Sequence, residues 1–317
     1  MLSRPSFTTC VDDIKSFTPL SKSSYIFGSS REERAFLHLV EWPPLVKKIM
    51  VTEREHGLGF YADVEEKEIS VASRSRRSIR EFAAAISAET IYLDITALEC
   101  ATWAPLIAVL YEYCTTFNIV YVEPRNYTRS AWPTEGLPFD LSERIRGVMP
   151  LPGFASLVEG RRGDSCFVPM LGFEGSRFRF VLEQIQPTDP DTIIPIVGLP
   201  GYKAEYPFYT YEGNKEPLRD TKSWRNVRFA AANCPFAALN TLCFIHNQFP
   251  SRSLKIAPIG TRPHALGAIL FTLMNLCPTE LVYDHPIHRQ GRTEGVGRLL
   301  LYSLTPILKA AIGKNNG

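Results

Sequence analysis

The chain has 317 residues, 45% of them hydrophobic, so it is long enough for two domains with sizeable cores. Its formal net charge of +2 gives no support for nonspecific nucleic-acid binding. Seven widely spaced cysteines without a C-x-x-C pair, a polar N-terminus and the lack of any apolar run of ~18 to 20 residues predict a reduced, cytoplasmic protein with no membrane partner.

The first part of the chain alternates short apolar runs with amphipathic stretches. The apolar runs predict strands at 24–28, 49–51, 91–96 and 119–122, and helical spacing predicts helices at 36–42, 78–88 and 103–113. Continuous apolar runs of this kind are typical of parallel strands buried on both faces. We therefore predict an N-terminal Rossmann-like domain at 1–123.

A proline-rich stretch at 124–163 interrupts this pattern and predicts a linker. The alternation then resumes, with strands predicted at 167–171, 193–197, 254–259 and 281–284, helices at 176–184, 227–246 and 263–276, and an antiparallel edge strand at 299–304. This gives a C-terminal Rossmann-like α/β domain at 164–317. The predicted fold class is α/β, with two Rossmann-like units whose mainly parallel sheets are flanked by helices.

Small, hydroxyl-bearing or acidic residues follow most of the predicted strands. In open α/β sheets, ligands bind outside the carboxyl ends of the strands, where helix N-termini offer free N–H groups. The clearest case is the loop 258–268, in which Gly260 permits a sharp turn and Thr261 can cap the next helix. With Arg262 beside them, these residues predict an anion site. An ordinary capped turn is the alternative.

Two further loops could contribute to ligand binding in the first domain. Ser29 and Ser30 follow the first strand, and Asp94 and Thr96 end a central one. An acid in such a place can bind a ribose hydroxyl or act as a base, or it can simply cap the following helix.

The second domain has its own acidic loop at 172–177. Glu174 lies between two glycines at a strand-to-helix turn and could serve as a general base, with Arg177 binding an anion nearby. A glutamate in a first helical turn also suits the helix dipole without any catalytic role.

The loop after the last internal strand is dense in titratable groups. Asp284 and His285 could form an acid–base pair, and Arg289 and Arg292 could bind phosphate. The D-H-x-x-H order lacks a third ligand cluster with suitable spacing, so no metal site is predicted.

Four tyrosines and a phenylalanine crowd into 202–211, where they could stack on a ligand ring or pack against the sheet or another subunit. The dinucleotide fingerprint G-x-G-x-x-G, the P-loop and G-x-S-x-G are all missing. The sequence therefore indicates neither an ordinary NAD domain nor a P-loop ATPase, and it identifies no cofactor.

Three short segments resemble the CRISPR-associated Rossmann-fold (CARF) sensor domains. These domains carry small hydroxyl residues after the first strand, as at 28–30, a strand–Asp–x–Thr turn, as at 94–96, and a Gly-Thr-Lys type loop opening a helix, as at 260–262 with Arg262 in place of lysine. The resemblance implies recognition of a cyclic or linear oligonucleotide in prokaryotic antiviral signalling.

Three functions remain open at this stage. The chain could be a sensor that binds a nucleotide or other phosphorylated ligand, an enzyme that acts on a nucleotide or nucleic acid, or a partner-binding subunit without catalysis. We expect a homo-oligomer with a possible protein partner. The candidate ligand-binding residues are Ser29, Ser30, Asp94, Thr96, Arg177, Gly260, Thr261, Arg262, Arg289 and Arg292. In the enzyme, the acid–base work would fall to Glu174, Asp284 and His285, and developing negative charge would be stabilised by Arg177, Arg289 and Arg292.

Overall fold

The structure is a computed structural model that describes residues 7–30, 32–54, 59–134, 137–156 and 165–309. The chain divides into two compact units. One, called the eight-stranded unit below, comprises 7–127 and 293–309, and the other, called the inserted unit, comprises 128–292. This division differs from the predicted boundaries at 123 and 164, because the last long strand returns to the sheet of the first unit.

The helices and strands follow each other along the whole described chain. The strands are β1 (Thr8–Val11), β2 (Ser23–Gly28), β3 (Lys47–Glu53), β4 (Gly59–Val64), β5 (Lys67–Ala72), β6 (Thr90–Asp94), β7 (Thr116–Tyr127), β8 (Arg129–Thr134), β9 (Leu137–Phe139), β10 (Ser142–Ile145), β11 (Met149–Pro150), β12 (Ser165–Pro169), β13 (Ile196–Gly198), β14 (Arg228–Ala230), β15 (Ser253–Ala257), β16 (Thr279–Tyr283), β17 (Pro286–His288) and β18 (Thr293–Ser303). The helices are α1 (Arg76–Ala85), α2 (Cys100–Leu110), α3 (Gly175–Ile185), α4 (Tyr206–Asp220), α5 (Pro235–Gln248) and α6 (Arg262–Leu273).

The eight-stranded unit has one sheet in the order β1-β18-β7-β6-β2-β3-β4-β5. Its centre, from β7 to β3, is parallel, and the strands on either side are antiparallel. All six residues of β2 are buried, as expected for a central strand covered on both faces. The predicted strands at 24–28, 49–51, 91–96 and 119–122 are confirmed as β2, β3, β6 and β7.

The strand predicted at 299–304 has a different place from the one expected. β18 begins at Thr293 and lies between β1 and β7, antiparallel to both. It is therefore an internal strand of the eight-stranded sheet and not an edge strand of the C-terminal domain. Leu299 is buried there in an apolar cluster with Tyr25, Val120 and Val122.

The inserted unit is built on a parallel sheet. β12, β15 and β16 pair in parallel, and β11 adds an antiparallel strand beside β16. On the other side, single bridges join Phe167 to Ile193 and Met170 to Ile196, and β13 pairs in parallel with β14. The parallel strands thus run in the order β14-β13-β12-β15-β16, with a helix in each connection, and the winding direction reverses between β12 and β15.

Local sequence signals misled the prediction in several places, including the whole of α4, where the sequence analysis places no helix. The helix expected at 36–42 is a single 3-10 turn at Leu37–Leu39. Prolines follow directly at 43 and 44, and a residue before proline is pushed out of the helical region. The hairpin of β4 and β5 was not predicted, because its turn uses Glu65 and Glu66 at positive φ without the usual Asn or Gly.

Two further differences also lie in the inserted unit. The stretch 124–163, predicted as a linker, contains the end of β7 and the strands β8 to β11; its residues 135–136 and 157–163 lie outside the described ranges. The helix predicted at 227–246 is preceded by β14, so that α5 begins at Pro235. Among the helices that the structure describes, none has the length and apolar character needed to cross a bilayer.

The start of α3 offers a test of the packing in the inserted unit. A Cβ atom on Gly175 would lie 1.9 Å from the carbonyl oxygen of Gly213 in α4. We expect Gly175→Ala to lower the free energy of unfolding by about 1–3 kcal/mol through overpacking, although alanine favours a helix over glycine by about 1 kcal/mol. Urea unfolding measures this loss. The control is Ser176→Ala at the next, exposed position, which should retain wild-type stability. Equal stability of both variants would contradict the close contact.

Candidate functional site

The loops that follow β12 and β15 touch each other at the carboxyl edge of the inserted sheet. A Cβ atom on Gly260 would lie 2.6 Å from the carbonyl oxygen of Leu171, and one on Gly172 would lie 3.1 Å from that of Ile259. Glycine is needed at both places because the backbones approach so closely. These two loops flank the point where the winding of the sheet reverses, which is the usual place for a ligand in open α/β sheets.

A cavity of about 360 Å³ opens beside this point, at the start of α3. Its volume falls at the lower end of the ~300–1,000 Å³ typical of small-molecule sites. The wall combines hydroxyls, carboxylates, guanidinium groups and apolar side chains, contributed by Ser130, Phe139, Asp140, Ser142, Glu143, Arg144, Ile145, Glu174, Ser176 and Arg177.

Glu174 holds a neighbouring loop in place. It is the N-cap residue of α3, but its carboxylate makes no capping bond to that helix. Oε1 instead accepts hydrogen bonds from the backbone N–H groups of Leu141 and Ser142 at 2.9 and 2.8 Å, and Oε2 accepts one from the Ser142 hydroxyl at 2.8 Å. A carboxylate with three donors fixes the start of β10 against α3, and it is poorly placed to act as a general base.

Arg177 and Asp284 form a buried ion pair behind the cavity. Nε and Nη2 of Arg177 donate to the two carboxylate oxygens of Asp284, both at 2.7 Å, and Nη1 donates to the Ile259 carbonyl at 3.0 Å. Burial acts to lower the pKa of Arg177, but the attraction of Asp284 outweighs it and holds that pKa above its usual value. The Asp284 side chain is 0% exposed, so this carboxylate serves Arg177 and is closed to solvent.

His285 follows Asp284 in a left-handed backbone conformation, with φ of 44°. Its ring packs edge-on against Tyr283, with 5.2 Å between the ring centroids, and it is buried. The predicted acid–base pair of Asp284 and His285 therefore consists of adjacent residues whose side chains contact different partners. In the described ranges, no group of three or more histidine, cysteine or acidic side chains could hold a metal ion.

The loop 258–262 caps α6 as predicted. The Thr261 hydroxyl accepts from the N–H of His264 at 3.3 Å and donates to the Ala232 carbonyl at 2.7 Å. The Thr261 hydroxyl hydrogen is therefore already used in a bond within the protein. Gly260, Thr261 and Arg262 border the same sheet edge but are not part of the cavity wall.

The two other predicted arginines lie in the loop that leads out of the inserted unit. Arg289 pairs with Asp140 of the cavity wall at 2.7 Å, and both side chains are about half exposed. Its backbone N–H also donates to the Leu141 carbonyl at 2.9 Å. Arg292 accepts a backbone bond from Thr128 at 3.0 Å and is not part of the wall. Of the two, Arg289 is thus connected to the cavity.

Asp94 and Thr96 belong to the eight-stranded unit, where they make internal bonds. Asp94 accepts from the Tyr25 hydroxyl at 2.6 Å and from the N–H of Thr96 at 2.8 Å. Burial, together with Asp94, raises the pKa of Tyr25 well above its usual value. The Thr96 hydroxyl accepts from the N–H of Val122 at 3.0 Å. These contacts favour a structural role over ligand binding.

Ser29 and Ser30 are exposed at the end of β2, on the same carboxyl edge of the parallel strands as Thr96. The Ser30 hydroxyl accepts from the N–H of Glu32 at 3.1 Å. A Cβ atom on Gly28 would lie 2.6 Å from Cδ2 of Leu98, so an apolar side chain fills the space above this strand end.

The sequence reasoning missed the residues that shape the cavity wall between 139 and 145. Arg144 is exposed there and forms no ion pair with any residue that the structure describes. The signal was weak because this segment lies in the proline-rich stretch, and its two strands, β9 and β10, are three and four residues long.

Two tyrosines of the aromatic stretch after β13 pack inside the unit. Phe139 stacks on Phe173 with 4.3 Å between ring centroids, and Tyr206 and Tyr209 of α4 meet Phe139 edge-on at 6.4 and 5.5 Å. These rings contact β9 and α4, which supports the packing alternative for Tyr206 and Tyr209. The aromatic cluster therefore fixes the wall at Phe139, and Glu174 fixes it at Leu141 and Ser142.

A double-mutant cycle tests the buried pair. Asp284→Leu leaves the Arg177 charge buried without compensation, so we expect a loss of about 3–5 kcal/mol in the free energy of unfolding. Replacing both partners with apolar residues, as in Arg177→Met with Asp284→Leu, should lose less than the single change. Urea unfolding of the four proteins gives the coupling. Additive losses would contradict the pair.

The second test concerns His264, which is fully buried in α6 and whose Nε2–H donates to the Ala231 carbonyl at 3.1 Å. Burial lowers the pKa of His264 to about 4. Between this value and the ordinary value near 6.5, the unfolded chain binds the proton and the folded chain does not, so stability falls as pH drops from about 6.5 to about 4.

Protonation of His264 should cost the wild-type protein about 3 kcal/mol of unfolding free energy between pH 6.5 and pH 4. We expect His264→Gln to lack this part of the loss, because glutamine does not titrate. Unfolding curves for both proteins from pH 7 to 4 measure the difference, in which the shared titration of carboxylates cancels. Parallel stability profiles for the two proteins would contradict a neutral buried His264.

Comparison with models of known protein families finds no match for this chain, and comparison with curated proteins finds none either.

Proposed function

We propose that the inserted unit binds a small phosphorylated ligand, of the nucleotide class, in the cavity at the start of α3. The observation that carries this proposal is the coincidence of three features at one place: the winding reversal between β12 and β15, the N-terminus of α3, and Arg144 on the wall, which has no ion-pair partner among the described residues. A Rossmann-like interpretation of the inserted unit follows from its strand order.

The cationic and donor groups suit a phosphate. The first turn of α3 offers backbone N–H groups and the positive end of the helix dipole. The Ser176 hydroxyl lies in this turn, and Arg144 faces the same cavity. Arg177 is neutralised by Asp284, so Arg144 is the guanidinium available to a phosphate.

The carboxylates of the wall suit the other part of a nucleotide. Glu143 is exposed on the wall and Asp140 pairs there with Arg289, and acidic side chains at this edge of α/β sheets bind ribose hydroxyls. A wall with both signs of charge favours a ligand that carries a phosphate and free hydroxyls over inorganic phosphate alone. The volume of about 360 Å³ favours one nucleotide over an oligonucleotide.

The sensor role in antiviral signalling remains a proposal that rests on the CARF resemblance. The residues of that resemblance in the first half make internal bonds, so the proposed ligand site lies in the other unit. Acid–base catalysis receives less support, because the carboxylates of Glu174 and Asp284 are already engaged by protein donors.

A thermal-shift panel tests the proposal. Nucleoside monophosphates, the corresponding nucleosides, ribose 5-phosphate, inorganic phosphate and a cyclic oligonucleotide form the panel. At 100 times its dissociation constant, a ligand adds about 2.7 kcal/mol to stability, which corresponds to roughly 4 °C for a protein of this size. We expect this shift with a mononucleotide and none with the nucleoside.

The Arg144→Ala variant should bind the mononucleotide at least tenfold more weakly by calorimetry, since a charge-assisted bond contributes about 1.5–3 kcal/mol. Lys215→Ala is the matched control, because Lys215 is an exposed cation of α4 outside the cavity wall. An unchanged affinity in Arg144→Ala, or the absence of any shift across the panel, would overturn the proposal.

A further inference from the structure

The strand β14 has an open edge. It pairs with β13 and, within the described part of the chain, with no other strand. The N–H of Arg228 donates to Pro195 at 2.8 Å, and the carbonyl of Ala230 accepts from Leu199 at 2.8 Å. Alternate residues of a parallel strand bond to the same neighbour, so Phe229 directs its N–H and carbonyl outward.

This outward edge is weakly occupied by the protein itself. The Phe229 carbonyl accepts a bond from the Thr241 hydroxyl of α5 at 3.3 Å, which is long for a hydroxyl donor. The Phe229 N–H has no partner among the residues that the structure describes, and a free backbone donor on an exposed strand edge can pair with another chain.

Large apolar side chains surround the edge. Phe229 is 49% exposed, and Trp224, in the turn just before β14, is 56% exposed. Phe244 is 53% exposed and lies on the face of α5 shared by Thr241 and Gln248, both of which contact β14. Exposed aromatic side chains grouped in this way are typical of protein interaction sites.

Cationic side chains are concentrated near this edge. Lys222, Arg225 and Arg228 lie within or just before β14, and they form no ion pair with any residue in the described ranges. The Arg228 guanidinium contacts Gln248 and backbone carbonyls, and Arg225 stacks on Trp224. Three cations without acidic partners complement a negatively charged chain.

We propose that the β14 edge binds an extended, acidic peptide segment of another protein, which adds a strand to the inserted sheet. Backbone bonds to Phe229 would fix the peptide, its apolar side chains would cover Phe229 and Phe244, and its carboxylates would meet the three cations. Strand addition of this kind combines backbone bonds for affinity with side-chain contacts for specificity.

Selection from a random peptide library displayed on phage tests this proposal on the full chain. We expect enriched sequences that alternate apolar and acidic residues, and the best of them, made synthetically, should bind more weakly as salt is raised. The same peptide with N-methyl groups on alternate amides should lose at least about tenfold in affinity, because it can no longer donate to the edge.

Variants of the chain locate the site. Phe229→Pro removes the outward N–H but leaves the inward bonds of Arg228 and Ala230, and edge strands accept proline. We expect at least a tenfold loss of peptide affinity, and the same for Lys222→Glu with Arg225→Glu, which changes two exposed charges. The control is Phe208→Ala, since Phe208 is an even more exposed ring (74%) at the start of α4.

These experiments distinguish an acidic peptide at the β14 edge from a second copy of the chain. Selected peptides that lack acidic residues, or that bind Phe229→Pro and the charge variant as tightly as wild type, would overturn the proposal. So would a concentration-dependent dimer that Phe229→Pro abolishes in sedimentation, because a second copy of the chain would then fill the edge. Wild-type affinity in Phe208→Ala, with losses in the other two variants, supports it.

Discussion

The buried contact between Arg177 and Asp284 holds the candidate site of the inserted unit together. Arg177 comes from α3, Asp284 follows β16, and the Ile259 carbonyl that completes the set follows β15. One guanidinium therefore fixes three chain segments at the point where the winding of the sheet reverses. A planar group with donors on three nitrogens can do this, whereas a lysine could not match the two carboxylate oxygens and the carbonyl together.

This arrangement decides which groups remain for a ligand. Arg177 is paired with Asp284, and the carboxylate of Glu174 accepts hydrogen bonds from the backbone N–H groups of 141–142. What is left at the cavity is the first turn of α3, the exposed Arg144 and the exposed Glu143. Groups with fixed partners build a rigid pocket, and groups without them provide binding. The chemistry of the edge therefore supports recognition more than acid–base catalysis.

Much of the fold could be predicted from the sequence, but the cavity wall could not. The strands β2, β6, β12 and β15 are continuous apolar runs, and the Thr261 cap follows from a hydroxyl residue before Arg-Pro, so local patterns suffice for them. Arg144 lies in a four-residue strand within a proline-rich stretch, and its importance depends on α3, which is thirty residues away in the sequence. Glu174 was identified as a functional candidate, yet its role depends on partners at 141 and 142 that no local pattern indicates.

The sequence by itself determined that this is an α/β protein, that strands end in small or polar residues, and that α6 begins at a capped turn. These features depend on residues close together in the chain, where periodicity and turn preferences act. Only the tertiary structure decided that β18 joins the first sheet, that Asp94 bonds to Tyr25, and that Arg177 and Asp284 neutralise each other. Each of these depends on pairing between distant segments, where burial makes an unpaired charge or hydrogen-bonding group costly, and the side chains therefore find partners that sequence spacing does not reveal.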